Sequence, residues 1–151
     1  MLTTKGVECS KKRNKHQRFL DAARAVALTS NGVGGRRRNS FRLGAILVHK
    51  SVIVEVATND NKTHPLLLKY TKFPFLHAES ACIIKRGLEH CDGLYLYVVR
   101  VKKNNENALA RPCKSCYTLI QDVGITFVIY SVNENIFTVL NIKKELHETM
   151  Y

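Results

Sequence analysis

Two short stretches of this 151-residue chain combine residue types and spacing that can do chemistry: His77-Ala78-Glu79 and Pro112-Cys113-Lys114-Ser115-Cys116. Cys113 and Cys116 stand three apart, so one helical turn brings both sulfurs to one point. Thiolate and imidazole are the ligands zinc prefers in a tetrahedral site. A helix N-terminus stabilises thiolates through exposed N–H donors and partial positive charge. His77, Cys113 and Cys116 make three ligands, which leaves a fourth position for water, the mark of a catalytic rather than a structural zinc. Zinc lowers the pKa of such a water to about 7. Glu79 is not needed as a ligand, and two residues from His77 it can reach that water and move protons. Alone, the CxxC pair also fits a redox couple or half of a structural zinc site, and an isolated HxE is weaker still. Together, each at a predicted helix start, they point to a catalytic zinc.

The elements that must position these residues are legible from periodicity. Residues 1–12 read as a flexible, basic, polar arm, and 13–151 as a single domain. Phe19, Leu20, Ala23, Val26 and Ala27 recur at helical spacing, predicting a helix over Lys15–Ser30 that stops at Asn31-Gly32. Val33–Ser40 is a basic loop. Phe41–Lys50 and Val52–Ala57 read as strands joined in a hairpin through His49-Lys50-Ser51. Thr58–Phe75 has loop chemistry and is long for a connection, a feature often functional. A helix over His77–Leu88 closes near Gly87, and Leu94–Val101 reads as a buried strand. After the polar loop Lys102–Arg111, Pro112 is predicted to start a helix that runs to Val123 and stops at Gly124. Ile125–Tyr130 is a further strand, Phe137–Ile142 is read as an edge strand, and Lys143–Met150 as a short helix. Alternating strands and helices suggest one sheet with helices packed on it. Thirty-five residues separate His77 from Cys113. That is one helix and one strand, enough to bring both helix starts to one sheet edge.

Composition narrows the class. Apolar residues make up 45% and charged residues 24%, which is ordinary for a folded domain and excludes a disordered chain. No apolar run approaches the ~20 residues that span a bilayer, and Met1–Ser10 has no secretory apolar core. The expected compartment is therefore cytoplasmic, the host's if the source is viral, with no membrane partner. Five cysteines, an odd number, argue against a disulfide framework. The net charge is +12, of which +9 falls within residues 1–42, mainly in Lys5–Arg18 and around Arg36-Arg37-Arg38. That charge suits an anionic partner, or simply a solvated surface.

On its two motifs the chain resembles the cytidine/deoxycytidylate deaminase superfamily, whose zinc enzymes carry the pattern H-x-E…P-C-x-x-C. Arg42-Leu43-Gly44-Ala45-Ile46-Leu47-Val48 followed by Asn59 adds to the likeness, which spans about residues 15–132. Asn59…Lys62-Thr63-His64-Pro65 ahead of His77 is similar to small deaminase-like proteins of phages and bacteria. The resemblance implies a three-layer α/β/α sandwich, with a central mixed sheet of about five strands, and homo-oligomeric assembly. It implies that His77, Cys113 and Cys116 bind Zn2+ and that Glu79 shuttles protons. It implies that Asn59 hydrogen-bonds the sugar, and that backbone N–H groups of Ala78, Gly44 and Ala45 contact the base. The implied reaction is hydrolytic: water adds at C4 of cytosine, ammonia leaves and uracil results.

The chain departs from each branch in some respect. Deoxycytidylate deaminases commonly carry asparagine where Ala81 stands, and adenine- and guanine-type deaminases carry glutamate where Arg111 stands. Vertebrate polynucleotide-editing deaminases carry tryptophan ahead of the proline-cysteine pair, and this chain has none. Three functions follow as alternatives. The first is a deaminase of free cytosine nucleosides or nucleotides. The second is a deaminase of single-stranded DNA or RNA, favoured by the basic N-terminal region but lacking, in the sequence, an aromatic–basic stripe. The third is a zinc-bearing module without catalysis. His64 and Arg111 are weighed as possible substrate contacts with solvated roles as the alternative. Cys82, Cys91, Tyr95, Tyr97 and Phe127 are expected to pack in the core, and His16, His49, His90 and His147 to lie at the surface.

Overall fold

Each central strand alternates two apolar sets, and the two sets serve two different helical layers. A computed structural model describes residues 6–8, 15–30, 42–60 and 62–144. Its elements run β1 (Gly6–Glu8), α1 (Gln17–Leu28), β2 (Arg42–His49), β3 (Val52–Thr58), α2 (Ala78–Arg86), β4 (Tyr95–Val101), β5 (Asn107–Ala108), α3 (Lys114–Asp122), β6 (Phe127–Ser131) and β7 (Ile136–Asn141). On one face Ala45 and Leu47 of β2, Leu96 and Val98 of β4, and Val128 of β6 pack with Ala81, Cys82 and Ile83 of α2 and Leu119 and Ile120 of α3. On the other, Ile46, Val48, Tyr97, Val99 and Ile129 meet Phe19, Leu20, Ala23 and Ala27 of α1. The period of two along each strand thus produces the α/β/α sandwich expected from the sequence.

The sheet order is β1-β7-β6-β4-β2-β3, with β5 paired to β4. β2 is antiparallel to both β3 and β4, so β3 and β4 run the same way on either side of it. β6 is parallel to β4, and β7 antiparallel to β6. The sheet is therefore mixed, with five longer strands and the two short ones, β1 and β5.

Several boundaries differ from the sequence reading. Gly6–Glu8, inside the stretch read as an arm, pairs with β7, so β7 is an interior strand rather than an edge. The rest of 1–12 lies outside the described residues, as do the basic loop Val33–Ser40 and all of Lys143–Met150 except its first two residues. A 3-10 turn over Pro65–Lys69 divides the long loop before α2. Gly87 and Gly124, which end α2 and α3, adopt positive φ of 98° and 81°, values that favour glycine. Among the described residues no helix is long and apolar enough to cross a membrane.

Candidate active site

β3 and β4 point the same way, and each is followed by a helix on the same face of the sheet. The connections β3–α2 and β4–α3 therefore both begin at the C-terminal ends of these strands, where ligands gather in sheets of this type. The first residues of the two helices carry the motifs. His77 is the N-cap of α2 (φ −74°, ψ 162°) and Cys113 the N-cap of α3 (φ −69°, ψ 167°). The helix predicted to start at Pro112 instead starts at Lys114, because the extended backbone of Cys113 lies outside the helix. The His77 side chain makes no capping hydrogen bond to its own helix, and that of Cys113 reaches Ser115 Oγ at 3.2 Å. Both are turned to each other.

His77 Nδ1 lies 3.5 Å from Cys113 Sγ and 3.4 Å from Cys116 Sγ, and the three ligand atoms fall within 4.8 Å of one another. A tetrahedron with Zn–N of about 2.0–2.1 Å and Zn–S of about 2.3 Å has N···S edges of about 3.6 Å. The donor set and its spacing therefore fit a zinc ion. His77 and Cys113 are exposed and Cys116 is buried, so the trio opens to solvent on one side.

The electrostatics are those of two thiols forced together. Cys113 is pulled down to about 3, first by the hydrogen bond from Cys116 and then by His77 and Ser115, against the effect of burial. Cys116 is pushed up, by donating to Cys113 and by burial. The two sulfurs share a proton, which a metal cation would displace. His77 is raised through its hydrogen bond to Cys113. Glu79 sits in the first turn of α2, only 3% exposed, with its Oε2 4.0 Å from Cys116 Sγ. Burial raises it to about 7, partly offset by a backbone hydrogen bond and the nearby His77.

The other residues named from sequence fall into two groups. Asn59 follows β3 directly and is buried; its Oδ1 accepts from Ser30 Oγ (3.0 Å) and from the Leu43 N–H (3.1 Å). The next residue, Asp60, donates its N–H to the Leu76 carbonyl, one residue before His77, so Asn59 is on the metal side of the strand end. Ala78 is fully buried at the first position of α2, where helix N–H groups lack intrahelical acceptors. Gly44 and Ala45 are elsewhere: both lie inside β2, paired to β3 on one side and β4 on the other. Their N–H groups face neighbouring strands rather than a base. A Cβ on Gly44 would stand 2.2 Å from the Ala23 carbonyl oxygen and 2.4 Å from the Ala27 nitrogen, so the glycine admits α1. His64 caps the 3-10 turn by accepting the Leu66 N–H, and Arg111 is exposed. Cys82 and Cys91 are buried as expected, while His16 is half-buried against the Tyr97 hydroxyl at 2.8 Å rather than free at the surface.

One set of residues escaped the sequence reading. A cavity of about 140 Å³ adjoins His77 and Cys116 and is walled by Tyr70, Thr71, Phe73 and Phe75 of the long loop, with Ser80 and Ser115. The Tyr70 hydroxyl donates to Asp122 Oδ2 at 2.7 Å and ties the loop to α3. The signal was present as aromatic residues clustered just ahead of His77 in a loop flagged for its length.

The sequence matches the family described as the cytidine and deoxycytidylate deaminase zinc-binding region over residues 13–132. No curated protein matches it. Among solved structures it is similar to the dCMP deaminase of cyanophage S-TIM5 in apo form, with a TM-score of 0.56, 22% identity and coverage of 82% of this chain and 86% of that one. The same cyanophage enzyme in complex with dCMP and dUMP gives 0.54 and 22%, covering 80% and 83%. RibD of Acinetobacter baumannii gives 0.50 and 16%, covering 78% of this chain and 28% of that one. These likenesses show the shared fold, and the family match spans most of the chain including both motifs. The chain belongs to the cytidine and deoxycytidylate deaminase family.

Proposed function

We propose that the chain is a zinc-dependent hydrolytic deaminase that converts cytosine to uracil in a nucleoside or nucleotide and releases ammonia. The observation that carries this reading is the buried carboxylate of Glu79 beside a three-ligand centre. A zinc-bearing module without catalysis has no use for such a carboxylate. His77, Cys113 and Cys116 would hold the ion, which when bound supplies Lewis acidity and lowers the pKa of a water to about 7. Glu79 accepts a proton from the attacking water and delivers it to the ring nitrogen N3. The C4–O bond forms as the ring nitrogen takes that proton. Glu79 then takes the proton of the new C4 hydroxyl and hands it to the exocyclic amine, the C4–N bond breaks, and ammonia departs as the C4 carbonyl forms. The Ala78 N–H, at the N-terminus of α2, would contact the base. Asn59, whose Oδ1 is held by Ser30 and Leu43, would hydrogen-bond the sugar.

The test is ammonia release from cytidine, deoxycytidine, CMP and dCMP by zinc-loaded protein. Glu79→Gln should lower kcat at least about 100-fold, the usual minimum for loss of a positioned acid–base group, and keep one zinc per chain. A zinc-loaded wild type inactive on all four, or a Glu79→Gln variant with unchanged turnover, sinks the reading.

A further inference from the structure

The loop that walls the cavity carries a pattern that a free nucleotide does not use up. Its sequence Lys69-Tyr70-Thr71-Lys72-Phe73-Pro74-Phe75 alternates cations with aromatic rings. Phe73 is 73% exposed and Phe75 49%, and yet both reach the cavity beside His77 and Cys116. Large apolar side chains held in water next to a polar site mark an interaction surface. The loop holds them in place. Thr63 bridges Phe75, the His64 N–H donates to the Pro74 carbonyl (3.0 Å), and the Leu76 N–H donates to the Lys62 carbonyl (3.0 Å). Tyr70 fastens the far side to Asp122 of α3. Phe73 is thus presented on a pinned strap.

The loop that walls the cavity is basic, and Asp122, the acid it meets on α3, is held by Tyr70 and Lys69. Residues 62–76 contain Lys62, Lys69 and Lys72 and no acidic residue. On the segment that supplies Ser115 and Cys116 to the cavity wall, Arg111 and Lys114 stand on either side of Cys113 in the sequence. Lys69 pairs with Asp122 at 3.9 Å. Lys62, Lys72, Arg111 and Lys114 are exposed and make no ion pair among the described residues. A free nucleotide brings one base and one phosphate. Four unpaired cations and an uncovered ring would then face solvent. Successive bases joined by phosphates match both sets, since rings stack on bases of any sequence and cations follow the backbone.

We propose that this rim binds single-stranded nucleic acid and presents one of its cytosines to the metal centre. Flanking bases stack on Phe73 and Phe75, and phosphates lie along Lys62, Lys72, Arg111 and Lys114. This deepens, and rests on, the reading of the chain as a cytosine deaminase. It replaces a motive drawn from the basic N-terminal region with one drawn from Phe73 and Phe75, which wall the cavity, and from cations of the segments that supply its wall.

The experiment measures fluorescence anisotropy of labelled oligothymidylate and oligouridylate, each of about ten nucleotides, with the full-length zinc-loaded chain. Neither probe contains cytosine, so binding is read without turnover. Binding should be at least about tenfold tighter than that of dTMP or UMP used as competitors. Its log–log salt slope should be near −2 to −3, from about three or four phosphates at −0.7 each. Tighter binding of one polymer than the other names the polymer and supports the proposal either way. Phe73→Ala should weaken binding at least about fivefold, Phe73→Tyr should restore it, and Lys72→Ala should flatten the slope by about 0.7. Phe73 is exposed, so circular dichroism of the variants should match the wild type. As a second measurement, ultraviolet cross-linking to thymine should map to the loop 62–76. No binding, binding no tighter than that of the mononucleotides, or binding indifferent to both Phe73→Ala and Lys72→Ala overturns the proposal. Deamination of dCMP without oligonucleotide binding overturns this inference alone, whereas loop-dependent binding without turnover of any substrate overturns the deaminase reading and leaves the surface standing.

Discussion

Gly44→Ala is the substitution whose outcome separates two roles for one glycine. A methyl group at this position would stand 2.2 Å from the Ala23 carbonyl oxygen and 2.4 Å from the Ala27 nitrogen, where an ordinary contact is 3.4 Å or more. The atoms met are main chain of α1, so no rotamer relieves the overlap, and α1 must retreat by about 1 Å. That gap forfeits a quarter to a half of the dispersion energy of the contacts it opens, here those of Phe19, Leu20, Ala23 and Ala27 with Ile46, Tyr97 and Val99. Forcing a methyl into a packed core costs about 1–3 kcal/mol, and main-chain atoms put this case at the upper end. Replacing glycine by alanine in an extended chain returns about 0.4–1 kcal/mol through the unfolded state. The net expectation is a loss of about 2 kcal/mol, or about 4–8 °C in Tm for a chain of this size. Urea and thermal unfolding of the zinc-loaded protein measure it. Metal content of the folded fraction should not change, because α1 and the ligands lie on opposite faces of the sheet. Unchanged or raised stability together with a raised KM would refute this reasoning and return Gly44 to the substrate.

The thiols should divide by environment. Burial pushes Cys82 up to about 12 and Cys91 up to about 11, so neither supplies a reactive thiolate when the pH is raised from 7 to 9. Chelation of zinc should open the exposed Cys113 to alkylation, while the buried Cys116, Cys82 and Cys91 stay protected until denaturant is added, which peptide mapping will show; labelling of Cys82 in the folded protein counts against the packing described. Tyr70→Phe removes the hydroxyl that donates to Asp122. Amide exchange in residues 65–76 should quicken about two- to tenfold, the effect of losing one hydrogen bond of about 0.5–1.5 kcal/mol, with no change in α2. Cys116→Ser removes a buried ligand and should abolish stoichiometric zinc binding and the thermal stabilisation that added zinc gives the wild type, read by metal analysis and calorimetry.

What could be read from the sequence, and what could not, follows the range of the forces involved. Helices and strands with a clear period announced themselves: Phe19, Leu20, Ala23 and Ala27 reach the core as one stripe, and Val52–Thr58 pairs with β2 through the Lys50-Ser51 turn. His77, Cys113 and Cys116 were legible because a metal demands particular atoms at close quarters. Gly44 was not, because a glycine that admits a helix and one that admits a ligand have the same sequence: both only lack a Cβ. The short strand Gly6–Glu8 carries no alternation long enough to see, and it turned β7 from an edge into an interior strand. His16 looked like a surface residue until the fold brought Tyr97 to it, a contact 81 residues away in the chain.

The loop between β3 and α2 shows the same limit from the functional side. Lys69–Phe75 has neither a helical nor a strand period, and the aromatic–basic alternation in it, though written in the sequence, marked no site until the fold set it beside His77 and Cys116. The centre and its rim are also held by different means. His77 and Cys113 are caps of helices whose inner faces are packed into the core, and their spacing is set through β2, which β3 and β4 share. Tyr70, Phe73 and Phe75 hang from main-chain hydrogen bonds of their own loop and from the tie of Tyr70 to Asp122. A change in the rim should therefore alter which molecule is held while leaving the metal in place, and a change under α2 or α3 should disturb the metal first. Zinc content and oligonucleotide affinity, measured side by side on Phe73→Ala and Cys116→Ser, separate the two: loss of zinc in Phe73→Ala would show that rim and centre are one mechanical unit, against the division drawn from their packing.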